Sequence, residues 1–185
     1  MKKNLLFPFL LVFAAILFHS CARDVDFEQA SEVTLRPVVE LNLIFFDLEA
    51  DRFVDSLTGQ VNPSVRDTTE IRFLDDSGTQ ESLVRLDFLF QFLNSIDHSF
   101  DVDFQFITEE NDTAYAFSTT VGAGSVDSPV ATDLLQVVEG EDISLLTTAN
   151  RLVVAVNIDT VDPVLEGLLN LRSKTTYFFE IRERE

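Results

Sequence analysis

The sequence predicts an all-β fold, an antiparallel β-sandwich of about eight strands, on three observations. Apolar residues recur with a period of two along most of the chain. Turn-forming residues interrupt these runs at short intervals. Helix-period stretches are nearly absent, which leaves two packed antiparallel sheets as the economical way to bury the apolar faces. Phenylalanine supplies much of the apolar volume, with 18 copies against no tryptophan. With Cys21 as the single cysteine, no intramolecular disulfide can support the fold, so packing must do so.

Each strand follows from its own pattern. Val39, Leu41, Leu43 and Phe45 alternate with Glu40, Asn42 and Ile44, and Ile71 and Phe73 alternate with Glu70, Arg72 and Leu74. Leu86, Phe88, Phe90 and Phe92 share one face. Phe100, Val102, Phe104 and Phe106 do the same against Asp101, Asp103 and Gln105. The likeness of these two strings predicts neighbouring strands of one hairpin. Further strands are predicted over 114–121, 133–138, 152–158 and 165–181, the last as one bent strand or two. Turns are expected at Thr58-Gly59, Asp76-Ser77-Gly78, Glu109 to Asp112, Gly122-Ala123-Gly124 and Asp162-Pro163. One short helix is predicted over 142–149, with Asp142 as N-cap and Asn150 as its left-handed stop.

Ahead of this body stands a leader: Lys2 and Lys3, an apolar stretch from Leu5 to Phe18, then Ser20 and Cys21. Its apolar run is shorter than the roughly 20 residues of helix that span a bilayer, so cleavage is the expectation. Phe18-His19-Ser20-Cys21 resembles the lipobox of bacterial lipoproteins, carried by Ser20 and Cys21. The resemblance implies that residues 1–20 are a signal peptide and that Cys21 receives diacylglycerol and acyl chains such as palmitate, becoming the new N-terminus. Two or three chains on one residue anchor essentially permanently, since each buried methylene adds about 0.8 kcal/mol. Residues 21–32 then form an acidic tether, and 33–185 a single domain. Asp24, Asp26 and Glu28 are similar to the acidic stretch that directs surface export in Bacteroidetes-type lipoproteins. Asp55-Ser56-Leu57, Asp67-Thr68-Thr69, Asp112-Thr113-Ala114 and Asp159-Thr160-Val161 are similar to the O-glycosylation signal of those bacteria, implying Ser56, Thr68, Thr113 and Thr160 as acceptors. The location implied is the outer membrane, lipid-anchored on its periplasmic or cell-surface side.

The net charge of −19 becomes −21 once Lys2 and Lys3 are removed, eleven cations against 32 acids. Such a surface excludes nucleic acid as a partner, because phosphate backbones need a basic face. Membrane attachment would come through the lipid alone.

Catalytic residue types are scarce. His98 is the one histidine after the leader, in the turn Asp97-His98-Ser99, where consecutive residues point apart and cannot form a nucleophile, base and orienter chain; an exposed turn histidine is expected. No glycine-rich phosphate loop exists. Carboxylates are the abundant resource. Asp47, Glu49, Asp51 and Asp55 gather before the Thr58-Gly59 turn, oxygen ligands at a density that could hold Ca²⁺, as could Glu109, Glu110 and Asp112. An EF-hand is rejected, since Arg52 stands where its glycine belongs and Thr58 where its last glutamate belongs. No cofactor other than such a Ca²⁺ is implied. The functional expectation is a non-enzymatic binding or accessory module that meets an envelope protein through a sheet edge or face. The alternatives are a carboxylate-dependent hydrolase or carbohydrate-processing protein, and a Ca-binding surface or adhesion domain.

Overall fold

The computed structural model describes residues 34–54, 58, 60–71, 77–159 and 165–182. The described residues divide between two units, Thr34 with Arg182 in one and Leu35–Ile181 in the other. The first contributes Thr34 and Arg182 to the described residues, in strands β1 (Thr34–Leu35) and β10 (Ile181–Arg182), which pair with each other.

The second unit holds the sandwich. Its strands are β2 (Val38–Glu49), β3 (Ser64–Glu70), β4 (Leu83–Asn94), β5 (Phe100–Thr108), β6 (Thr113–Val121), β7 (Val130–Glu139), β8 (Ala149–Asn157) and β9 (Leu168–Phe179). A 3-10 turn, Ala50–Arg52, and two six-residue helices, α1 (Ser77–Ser82) and α2 (Glu141–Leu146), join them. One sheet has the order β2-β9-β4-β7 and the other β3-β8-β5-β6. Every pairing within these two sheets is antiparallel. Of the chain neighbours only β5 and β6 pair; every other connection crosses between sheets. Eight antiparallel strands wound in this order are a jelly roll, a β-sandwich made of two Greek keys.

The core is aromatic. Phe53, Phe90, Phe92, Phe100, Phe104 and Phe106 are fully buried, each such side chain contributing about 1.5–3 kcal/mol by leaving water. Phe90 of one sheet meets Phe104 of the other at 4.2 Å between ring centroids, and Phe88 meets Phe106 at 5.2 Å. This contact corrects the expected hairpin. β4 and β5 are consecutive but belong to opposite sheets, because two strands that each carry a Phe face bury both by facing one another.

Three further expectations change. The second strand runs from Ser64 to Glu70, ahead of the predicted stretch, with Ile71 buried at its boundary and residues 72–76 outside the described residues. The helix spans Glu141–Leu146 and not 142–149. Gly140, at φ +63°, takes the cap position, Asp142 falls in the first turn where its charge suits the positive helix end, and Asn150 already belongs to β8. The predicted turn at Ser77-Gly78 is the start of α1.

Candidate functional site

The site is built from an irregularity in β2. Pairing with β9 runs from Val38 opposite Phe178 to Asn42 opposite Lys174, then resumes at Phe45 opposite Arg172. Leu43 and Ile44 therefore share the single residue Ser173, a β-bulge of two against one. The Ser173 hydroxyl fills the gap, donating to the Ile44 carbonyl at 2.7 Å and accepting from the Ile44 N–H at 3.0 Å. The extra residue reverses the alternation. Before it, Val39 and Leu43 pack against the core; after it, Ile44, Phe46 and Leu48 do. Ile44 is 5% exposed and Phe45 80% exposed, the opposite of the predicted assignment. An edge strand can absorb this bulge, because among the described residues β9 is the one strand that pairs with it.

Phe45 consequently stands on the outer face of the β2-β9-β4-β7 sheet. Across that face the register aligns Phe45, Arg172, Gln91 and Asp133 in one row. The adjoining rows run Asp47, Asn170, Leu93, Ala131 and Asn42, Lys174, Leu89, Leu135, so the polar side chains of β9 stand between Phe45 and the leucines. Leu135 is 58% exposed and Leu93 47%. Ion pairs share this face: Lys174 Nζ lies 3.0 Å from Glu40 Oε1, and Arg85 Nε lies 2.6 Å from Asp87 Oδ1, with the guanidinium also over the Phe178 ring. The hydrogen bond and charge of Lys174 hold the Glu40 carboxyl below its ordinary pKa. The outer face of the second sheet differs in kind. Its rows align Thr68, Val153, Gln105 and Ala116, then Arg66, Ala155, Asp103 and Ser118, which are mostly small or polar side chains.

On the inner side of the same β2 segment lies a groove of about 280 Å³ between the edges of β2 and β3. Phe46, Leu48, Val65, Val154 and Val156 make its apolar floor, and Asp47, Glu49, Asp67, Arg52 and Arg66 its charged rim. Two of the four predicted calcium carboxylates, Asp47 and Glu49, thus come to one rim. Asp51 belongs to the 3-10 turn and Asp55 lies outside the described residues. Asp47 accepts a hydrogen bond from Asn170 Nδ2. Among the described residues no three of His, Cys, Asp and Glu form a group able to hold a metal ion. Glu109, Glu110 and Asp112 belong to the exposed β5–β6 turn, closed by the Thr108 N–H on the Asp112 carbonyl, with Asn111 at φ +72°.

Thr68 is exposed on β3 and Thr113 at the start of β6, whereas Cys21, Ser56 and Thr160 lie outside the described residues. His98 is half-buried, not exposed as expected, and its Nδ1 is enclosed without a hydrogen-bond partner. It lines a shallow cleft with Ser95, Asp97, Ser125 and Glu166 at one end of the sandwich. Ser95 Oγ is engaged on both sides by the Leu168 backbone, so it is already occupied as part of the scaffold.

Sequence reading assigned Phe45 to the core and gave Arg52, Arg66 and Asp67 no place in a common groove. The run Ile44-Phe45-Phe46 was the available signal, since three consecutive apolar residues cannot all face inward on one regular strand. For the groove's rim no local signal existed, because it is assembled from two strands that do not pair. Among the described residues no helix is long and apolar enough to cross a membrane.

No protein-family model matches the chain, and no curated protein does. Among solved structures, a Parabacteroides distasonis protein inferred to be secreted is similar at 11% identity and a TM-score of 0.46, over 66% of this chain and 38% of that one. The infectious bursal disease virus VP2 subviral particle is similar at 6% identity and a TM-score of 0.47, over 78% of this chain and 32% of its own. This chain therefore spans between about three-tenths and four-tenths of the length of those two proteins. Desmodium yellow mottle tymovirus is similar at 11% identity and a TM-score of 0.30.

Proposed function

We propose that this chain is a lipid-anchored module of the outer membrane, held there through Cys21, which binds an envelope protein and carries out no chemistry of its own. The observation that carries the binding role is Phe45, a phenylalanine 80% exposed on a sheet face, held there by a bulge that a Ser173 hydrogen-bond pair stabilises. Leaving such a ring in water forgoes roughly 1.5–3 kcal/mol of burial, which a binding partner would recover. Leu93 and Leu135 are exposed on the same face beyond the polar β9 residues Asn170, Arg172 and Lys174, so the face mixes apolar and polar groups, as protein interfaces do.

The test separates the two halves of the reading. A photo-crosslinking residue at position 45 in the native envelope should give one discrete adduct that the same residue at Gln105, on the other sheet's outer face, does not give. Adducts of equal yield at both positions would remove the docking role. Intact mass of wild type against Cys21→Ala should differ by the lipid; an unmodified wild-type chain would remove the anchor.

A further inference from the structure

The two seams of the sandwich are built differently. Between β6 and β7, Gln136 Nε2 donates to the Tyr115 hydroxyl at 2.9 Å, and the neighbouring α2 buries Ile143 and Leu146. Between β2 and β3 lies the open groove of about 280 Å³. One residue of its lining departs from the pattern of the core. Residues directly opposite in an antiparallel ladder share a face, and Val154 and Val156 are buried on the inner face of β8. Their partners on β3 are Asp67 and Val65, so Asp67 occupies an inward position. Among the described residues of the eight sandwich strands it is the one charged side chain to do so. Half-buried Phe46 and Val65 leave apolar surface beside it. Arg52 and Arg66 complete the groove, and neither guanidinium has an ion-pair partner among the described residues. An inward charge also guards an edge against pairing, but that role calls for neither an apolar floor nor two unpaired guanidiniums.

We infer that this groove binds a free α-amino acid with an apolar side chain. Charge selects the class. The rim sets three carboxylates, Asp47, Glu49 and Asp67, against two guanidiniums, in a molecule of net charge −19, so a ligand bringing only negative charge is repelled. A ligand bringing only positive charge faces Arg52 and Arg66, whose own charges no described acid offsets. A zwitterion answers both. Its ammonium meets Asp67, its carboxylate meets the guanidiniums, which suit carboxylates through paired N–H bonds, and its side chain covers Phe46 and Val65. Asp67 Oδ1 accepts from the Thr68 N–H at 2.9 Å, which orients the carboxylate and leaves Oδ2 for the ammonium. Asp47, by contrast, is already engaged by Asn170. Volume sets the size. At about 30 Å³ for each water-sized group, a groove of about 280 Å³ holds about nine non-hydrogen atoms, the number in leucine. This inference does not depend on Phe45 or on the anchor.

The experiment is isothermal titration of the full chain in detergent, with micelles alone as the blank. L-leucine should bind saturably at about 1 mM or below, as a small ligand with every group engaged does. Leucinamide lacks the carboxylate, isocaproate the amine and glycine the side chain. Each should bind about tenfold more weakly or worse, because each forfeits one charge-assisted or apolar contact. Asp67, Arg52 and Arg66 are exposed, so Asp67→Asn and the double variant Arg52→Gln with Arg66→Gln should keep the fold, checked by an unchanged urea midpoint. Each should weaken leucine binding about tenfold or more. If a variant loses its fold, the ligand series on wild type decides. The inference is overturned if leucine shows no saturation by about 10 mM, if any of the three analogues binds as tightly as leucine, or if folded variants bind leucine unchanged.

Discussion

Asn94 shows what one polar residue does inside an aromatic core. It ends β4 fully buried, its Nδ2 donating to the His98 and Gly122 carbonyls at 2.8 Å each and its Oδ1 accepting from the Ile96 N–H at 2.9 Å. These bonds tie the β4–β5 corner to the end of β6. Gly124 fits beneath it only because it lacks a side chain, as a Cβ there would stand 1.9 Å from the Asn94 carbonyl oxygen. Asn94→Ala leaves three backbone groups without partners, so we expect a loss of about 3 kcal/mol in urea unfolding. Tyr177 gives a prediction in pH. Burial raises its hydroxyl pKa above the ordinary 10.0, with the Thr175 side chain acting weakly the other way. The unfolded chain ionises first, so the contribution is complete below the ordinary value and falls as pH rises toward the folded one. Tyr177→Phe should therefore flatten the alkaline limb, read as the change in urea midpoint between about pH 9 and about pH 11.

At the scale of elements, legibility in the sequence followed burial. β4 and β5 were plain because each buries one whole face and alternates with polar residues. β3 was hidden, because Ser-Val-Arg-Asp-Thr-Thr-Glu is an edge strand whose ladder partners, not its own side chains, make it a strand. β2 was found, but its second half was assigned the wrong face, because Ser173, 129 positions away, decides where the bulge lies. The carboxylate cluster was legible as composition and only partly as geometry, since strand alternation and the 3-10 turn separate Asp47 and Glu49 from Asp51. Ser173→Ala tests the bulge itself. Removing both bonds to Ile44 should cost about 1–2 kcal/mol. If it also shifts the register by one residue, a solvent-accessible reporter at Phe45→Cys should lose thiol reactivity in the Ser173→Ala background; unchanged stability and reactivity would mean that the backbone holds the bulge unaided.

For the molecule as a whole, the winding order is what no local pattern carries. Six of the seven connections between the sandwich strands cross from one sheet to the other, and the partner of each strand is mostly distant in sequence, as β2 with β9 and β3 with β8 show. The two sheets are selected together by the aromatic layer between them, in which Phe90 touches Phe104 and Phe117, and Phe92 also reaches Phe104. That layer should act as one unit in unfolding. Phe90→Ala and Phe104→Ala are each expected to cost about 3–5 kcal/mol, since each empties a fully buried site. The double variant should fall short of their sum by about 1 kcal/mol or more, the coupling of rings 4.2 Å apart. Milder truncation to leucine at both positions serves if alanine abolishes folding, and strict additivity in that series would mean that the sheets are held by their separate cores and not by this contact.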